Sequence, residues 1–259
     1  MPVPPLTVLS LASALAYALL AYAHRGLSPV ATRWALGCVW LLHLLTLVLM
    51  LFAEPARFGF APALSVTVWL VLTVYAIESR LFPQMRARWT LAGLGTVAVL
   101  LAMSFPGQHY PELRSAWLPL HWALGIASYG LIGAAVIHAW LMQRAEKAMR
   151  QGHMPETAMP LLTLERLTFR FVGAGFVLLT ATLVAGGWFS EVLNERWVWN
   201  HKTAFSVLAW LTVGILLLGR WRLGWRGRTA IRTLYLGAGF LLLGYAGSRF
   251  VLEVILHRA

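Results

Sequence analysis

The chain has 259 residues, of which 59% are hydrophobic and only 12% charged, with a mean hydropathy of +0.71. A soluble domain carries about 25% charged residues, so this composition excludes a soluble enzyme, a disordered tail and a secreted disulfide scaffold, and indicates an integral membrane protein. The net charge of +12 would suit nucleic-acid binding, but the basic residues lie in short connections between apolar runs, so no nucleic acid is expected.

Eight apolar stretches are each long enough to cross about 30 Å of hydrocarbon: 5–23, 34–53, 62–79, 89–105, 118–142, 170–189, 203–219 and 233–255. No period-2 alternation competes, which argues against a barrel. The first stretch ends in Ala21-Tyr22-Ala23, like a cleavage site, but the opening MPVPPLTVLS lacks a positive n-region, so it reads as a retained helix. Arg25, Arg33, Arg80, Arg86, Arg88, the cations of 144–170 and those of 220–232 make 15 of the 21 Lys and Arg, all in alternate loops. That side is expected to be cytoplasmic, with both termini on the periplasmic or outer side. The longest connection, 143–169, is expected to begin as a helical extension and to end, at MPLLTLERLTFR, in an amphipathic segment lying on the membrane. The fold class is therefore all-α, eight transmembrane helices in a single polytopic membrane domain over 1–259.

Cys38 is the only cysteine and there is no CxxCH, so no c-type haem is covalently attached. Aspartate is absent, which removes most Mg²⁺ or phosphoryl-transfer schemes. Topology sorts the histidines by depth. His121 and His257 come at the outer ends of helices 5 and 8, with His201 opening helix 7. Two imidazoles at one level on separate helices suit axial ligation of a flat metal macrocycle; interfacial histidines at a wet boundary are the other reading. Arg249, Glu253 and His257 follow at i, i+4 and i+8 on one helical face. Glu253 suits orienting the imidazole, and Arg249 suits pairing with Glu253 or a propionate. An Arg–Glu pair that lets both charges enter a membrane helix accounts for them equally well. The outer loop GGWFSEVLNERWVWNHK places Trp188, Trp197 and Trp199 within 12 residues, as an interfacial aromatic belt or a platform for a ligand with apolar faces and anionic edges.

The stretch Gly186–Gly227, GGWFSEVLNERWVWNHKTAFSVLAWLTVGILLLGRWRLGWRG, resembles the core of the cytochrome c assembly family, which includes the CcsA, CcmC and CcmF haem-handling proteins. YAGSRFVLEVILH is similar to the family's last helix with its outer histidine, and LPLHWALGIASYGLIGAA to the helix bearing the partner histidine. The resemblance covers about residues 60–257 and is nearest to the short YpjD-like and HemX-like branch, on MPLLTLERLTFRFVGAGFVLLT, NHKTAFSVLAW, GWRGR and YAGSRFV. It implies haem b held non-covalently at the outer face of a bacterial inner membrane, with His121 and His257 as axial ligands. The family's Trp-Asp-Pro stands here as Trp199-Asn200-His201 and no histidine lies between His201 and His257; no large periplasmic domain is expected. A mid-helix His43 is then a remnant of a second site or, the preferred reading, a buried hydrogen-bonded histidine.

The expected function is non-catalytic haem binding, delivery or regulation. The tryptophan loop would pack on the porphyrin, with His201 close by and Arg114, Arg196, Lys202 and Arg249 as candidate propionate partners. Lipid, haem and other cytochrome c maturation or tetrapyrrole-pathway proteins are the expected partners. A small-molecule or ion transporter, and a cofactor-less structural or regulatory membrane partner, are the alternatives.

Overall fold

The computed structural model describes residues 5–23, 26–51, 57–81, 88–109, 118–152, 160–192, 201–247 and 250–251. They form eight α-helices: α1 (Pro5–Ala23), α2 (Pro29–Leu51), α3 (Phe60–Leu81), α4 (Arg88–Ser104), α5 (Leu118–Arg150), α6 (Leu161–Val192), α7 (His201–Leu223) and α8 (Gly227–Leu242). Six of them, α1, α2, α3, α5, α6 and α7, are long and apolar enough to cross a membrane. The apolar part of α4 is shorter, Thr90–Ser104, and α8 has 16 residues before it passes into a π-helical turn, Leu243–Gly247. The chain is thus a multi-pass α-helical membrane protein. Large apolar side chains such as Leu19, Trp34, Val177 and Leu236 face outward, as lipid-facing helices require.

Local chemistry sets several helix boundaries. Pro29 opens α2, and the preceding Ser28 caps it by accepting the Ala31 backbone N–H at 3.2 Å; the proline loses only a donor that would have no partner there. Inside the helices, threonine hydroxyls such as Thr46, Thr67 and Thr182 donate to the carbonyl four residues back, which satisfies them without water. A two-stranded antiparallel ribbon, β1 (Arg57–Phe58) and β2 (Gln108–His109), pairs Arg57 with His109 and Phe58 with Gln108; the apolar runs gave no sign of it.

The helices fall into two compact units. In the first, α1 packs on α2 and α4, and α3 on α4 and α2. Its centre is polar. The Tyr17 hydroxyl shares a 3.3 Å hydrogen bond with His43 Nδ1, and His43 Nε2 lies 2.9 Å from Ser65 Oγ. A Cβ at Gly95 would stand 3.0 Å from the Tyr17 ring, so all four helices meet there. His43 is fully enclosed, at 0% exposure: the buried, hydrogen-bonded reading holds.

In the second unit, α5 and α6 make the most extensive pairing, α6 packs on α7, and α8 packs on α7 and α5. The α5–α6 pairing is antiparallel. His121 meets Gly186, Gly125 meets Thr182 and Ile132 meets Gly175, and at the far end His138 stacks on Phe171 at 5.2 Å. A Cβ at Gly175 would lie 2.8 Å from Ile132 Cγ1, so small residues let these backbones approach closely.

The structure corrects the reading of the long connection. Residues 143–150 extend α5 as expected, but 161–169 are the first turns of α6, not a separate segment on the membrane surface. Glu165 explains how a charged stretch enters that helix: it pairs with Arg220 and lies 3.4 Å from Arg226 Nε. Arg220 also stacks over Phe169 at 4.5 Å and donates to the Trp225 carbonyl at 3.2 Å. The turn between α7 and α8 holds this cluster. Gly224 and Gly227 take φ of +64° and +56°, and the Trp225 ring lies where a Cβ at Gly219 would be only 2.5 Å away.

Candidate functional site

The expected site lies at the end of the second unit where α5 begins, α6 ends and α7 begins. His121 stands one turn into α5, half-buried, with its ring against α6. A Cβ at Gly186 would come within 3.2 Å of His121 Cε1 and 3.7 Å of Nδ1, so the glycine makes the place in which the imidazole lies. The Thr182 backbone and the Lys202 ammonium are near enough to act electrostatically on the ring, and its Nδ1 is enclosed. Helix pairing and the small residue together fix where the imidazole is held.

His201 and Lys202, the first two residues of α7, are exposed. Trp188 is exposed too, at 69%, but it is a helical residue: α6 runs to Val192, so the expected outer loop is shorter than its tryptophan spacing implied. Two residues after Gly186, Trp188 is turned by roughly 200° around the helix and points away from His121. The structure therefore brings His121, Gly186 and Lys202 to one end and does not stack Trp188 on His121. Trp197, Trp199, Arg114, Arg196, Arg249, Glu253 and His257 lie outside the described residues.

The approach to that last group differs from the expected regular helix. The π-helical turn at Leu243–Gly247 adds a residue to the turn and so breaks the α-helical register there. A Cβ at Gly244 would lie 3.1 Å from Ser206 Oγ, so the turn presses directly on α7. Beside it, the Tyr129 hydroxyl of α5 donates to the Leu241 carbonyl at 2.6 Å. This hydrogen bond ties the helix of His121 to the helix that precedes His257.

Among the described residues, this end holds an imidazole at a helix end, a glycine against it and a cation close by, a set that suits one axial position of a haem. Among the described residues no group of three His, Cys, Asp or Glu gathers for a bare metal ion, and a macrocycle that supplies four ligands of its own needs no such group. Sequence reasoning missed Thr182, Gly186 and Tyr129. The double glycine Gly186-Gly187 was the available signal, and it was read as part of a loop.

Comparison with known proteins bears on the same region. The model of the cytochrome C assembly protein family matches residues 31–256. A 28.8 kDa protein from Azospirillum brasilense, described as uncharacterized and located in a nifR3-like 5' region, is 30% identical, with 76% of each chain aligned. The inner membrane protein YpjD of Escherichia coli is 28% identical over 74% of this chain and 72% of its own. The cytochrome c biogenesis protein CcsA of Gloeobacter violaceus is 26% identical over 71% of this chain and 72% of its own. No solved structure matches. With 226 consecutive positions inside the family model, residues 31–256, the chain belongs to the cytochrome c assembly protein family.

Proposed function

We propose that this protein is a non-catalytic haem-binding protein of the bacterial inner membrane that acts in cytochrome c assembly or haem handling, the whole chain forming one polytopic membrane domain. Haem b is held non-covalently at the outer face, with His121 and His257 as axial ligands. The observation that supports the reading is the seat of His121: its ring is packed on Gly186 beside the Thr182 backbone, in a chain of the cytochrome c assembly family. An imidazole has two nitrogens; Nδ1 is enclosed against α6, so Nε2 is the proposed ligating atom. Lys202, Arg249, Arg196 and Arg114 are the cations proposed for the propionates. Trp188, Trp197 and Trp199 supply apolar surface for the porphyrin, and His201 sits at its edge. Bound haem would supply an iron centre for delivery or sensing; the protein's own part is to hold it in one orientation and keep its edge accessible.

Charge supports the outer placement. Helices α3, α5 and α7 carry basic residues in their last turns, Arg80, Lys147 with Arg150, and Arg220 with Arg222, while α1, α2, α4, α6 and α8 carry none there. In the proposed arrangement all eight helices span, the basic ends are cytoplasmic and His121 is outside. A phosphatase fused after Ala259 is expected to be active in the periplasm, and a reporter in the 220–232 connection to behave as cytoplasmic. The reverse pattern moves the site to the wrong face and removes the reading. The direct test is the absorption spectrum of the purified protein. A low-spin bis-histidine haem spectrum is expected, and it should be absent from the His121→Ala/His257→Ala double variant. A well-folded protein that never shows haem overturns the proposal.

A further inference from the structure

We propose that the first unit carries a binding site for one anionic phospholipid, in the groove between the start of α2 and the end of α3. The groove has a volume of about 590 Å³ and is lined by Arg33, Trp34, Gly37 and Trp40 of α2, and by Thr73 and Arg80 of α3, among others. That volume lies within the usual range for small-molecule sites, roughly 300–1,000 Å³. This inference concerns helices α1–α4 and does not rest on the proposed haem site.

The groove is polarised along its length. Arg33 comes one turn after the start of α2, and Arg80 is one residue from the end of α3, so both guanidinium groups belong to the headgroup level of the same leaflet. Both residues are exposed. Glu78, the nearest carboxylate in sequence, is buried at 4% exposure and does not line the groove. The deep end is different. The Trp40 indole N–H donates to Thr73 Oγ1 at 2.8 Å, and its ring stacks on Trp69 with centroids 4.9 Å apart. Polar atoms there are already used by the protein, so the deep end offers an occupant hydrocarbon contact only. Trp34 and Ile77 at the sides are 74% and 57% exposed, so the groove opens sideways to lipid.

An occupant that matches this gradient has an apolar chain in the depth and a negative charge at the mouth. Guanidinium groups recognise phosphate with paired hydrogen bonds. Two cations with no acid in the lining favour a lipid of net negative charge over a zwitterionic one. Arg33 and Arg80 therefore bind the phosphate, and the aromatic walls take an acyl chain.

The test is native mass spectrometry of the full-length protein released from phosphatidylcholine nanodiscs containing a minority of phosphatidylglycerol. The wild type is expected to retain a phosphatidylglycerol adduct selectively. Arg33→Gln/Arg80→Gln should weaken retention roughly 30-fold, the effect of two basic groups at headgroup level. Gly37→Leu provides a second variant that leaves both arginines in place. A Cβ at Gly37 meets nothing within 4 Å, so the larger side chain starts into open space and should narrow the groove and weaken lipid retention in a folded protein. Arg222→Gln/Arg228→Gln, at exposed positions of the other unit, should retain it. Equal retention of phosphatidylcholine by the wild type, or an undiminished adduct in both groove variants, overturns the proposal. Loss of haem from Arg33→Gln/Arg80→Gln with phosphatidylglycerol unaffected also overturns it, and makes a porphyrin dicarboxylate the occupant.

Discussion

The two units each hold a histidine that the sequence alone leaves open to ligation, and they hold it in opposite ways. His43 is enclosed by all four helices of its unit, with Tyr17 on one ring nitrogen and Ser65 on the other. His121 is one turn into its helix, half-buried, beside the Thr182 backbone and seated on a glycine. A side-chain partner on each nitrogen makes an imidazole a strut, because ligation would require a bond to break and a neighbour to lose its own partner in a dry interior. A seat at a helix end sets orientation while leaving the residue close to the surface. Residue type is shared; depth, partners and location set the enclosed His43 apart from His121, the proposed ligand.

The largest expected effect breaks the comparison directly. His121→Ala should leave a five-coordinate, weakly held haem, seen as loss of the low-spin spectrum. His43→Ala should keep that spectrum. Its cost is instead in stability, about 1–3 kcal/mol for stranding the Tyr17 and Ser65 hydroxyls, read as a lower unfolding midpoint in detergent. His138 is the matched control on the helix of His121, 17 residues further on and about 25 Å along the axis. It is 2% exposed and stacked on Phe171, so His138→Ala should alter stability and not the spectrum. If His43→Ala or His138→Ala removes the haem while His121→Ala retains it, the assignment of roles to the two units is wrong.

A smaller effect sharpens the comparison by moving the histidine without deleting it. Gly186→Ala puts a methyl group 3.2 Å from His121 Cε1, tight enough that the ring must shift by a few tenths of an ångström. Well-packed contacts tolerate such growth at a cost of about 1–3 kcal/mol, so haem affinity should fall by roughly 5- to 150-fold while the spectrum of the haem that remains stays bis-histidine. No change in affinity would show that the α6 seat does not position the ligand.

These variants also mark where sequence reading succeeds and stops. Each of the eight apolar stretches coincides at least in part with a helix, because lipid demands apolar runs and the chain has few charged residues to blur them; six of those helices are long and apolar enough to cross a membrane. The first helix, 5–23, was read to the residue. The start of α6 was missed because hydropathy measures apolarity and not helicity: Glu165 looks like a surface charge until Arg220 and Arg226 fold back onto it. The π-helical turn was equally hidden, since LGYAG shows that a close approach to Ser206 is possible and says nothing of the pitch that produces it. For the site, His121 was legible from residue type and depth. Its seat was not, because Gly186 and Thr182 meet it only through the antiparallel register of α5 and α6, a tertiary fact. Trp188, expected in the outer loop, is instead a residue of α6, because apolarity alone does not show how far a helix runs past its apolar stretch.

The smallest effect concerns His201, which the resemblance to the family's Trp-Asp-Pro motif sets at the position of its proline. As the first residue of α7 it is exposed, beside the Lys202 whose charge acts on His121. An exposed imidazole at a helix start can swing toward a haem edge or stay in water, whereas an axial ligand must be held. His201→Ala should therefore leave the bis-histidine spectrum and the haem content unchanged and alter only the rate at which haem passes to an acceptor such as apomyoglobin, by a few-fold. His201→Pro restores the family residue and should give the same spectrum, since proline is tolerated at the first helical position. Complete loss of haem in a well-folded His201→Ala protein would mean that His201 is itself an axial ligand, and that either His121 or His257 belongs with His43 among the structural histidines.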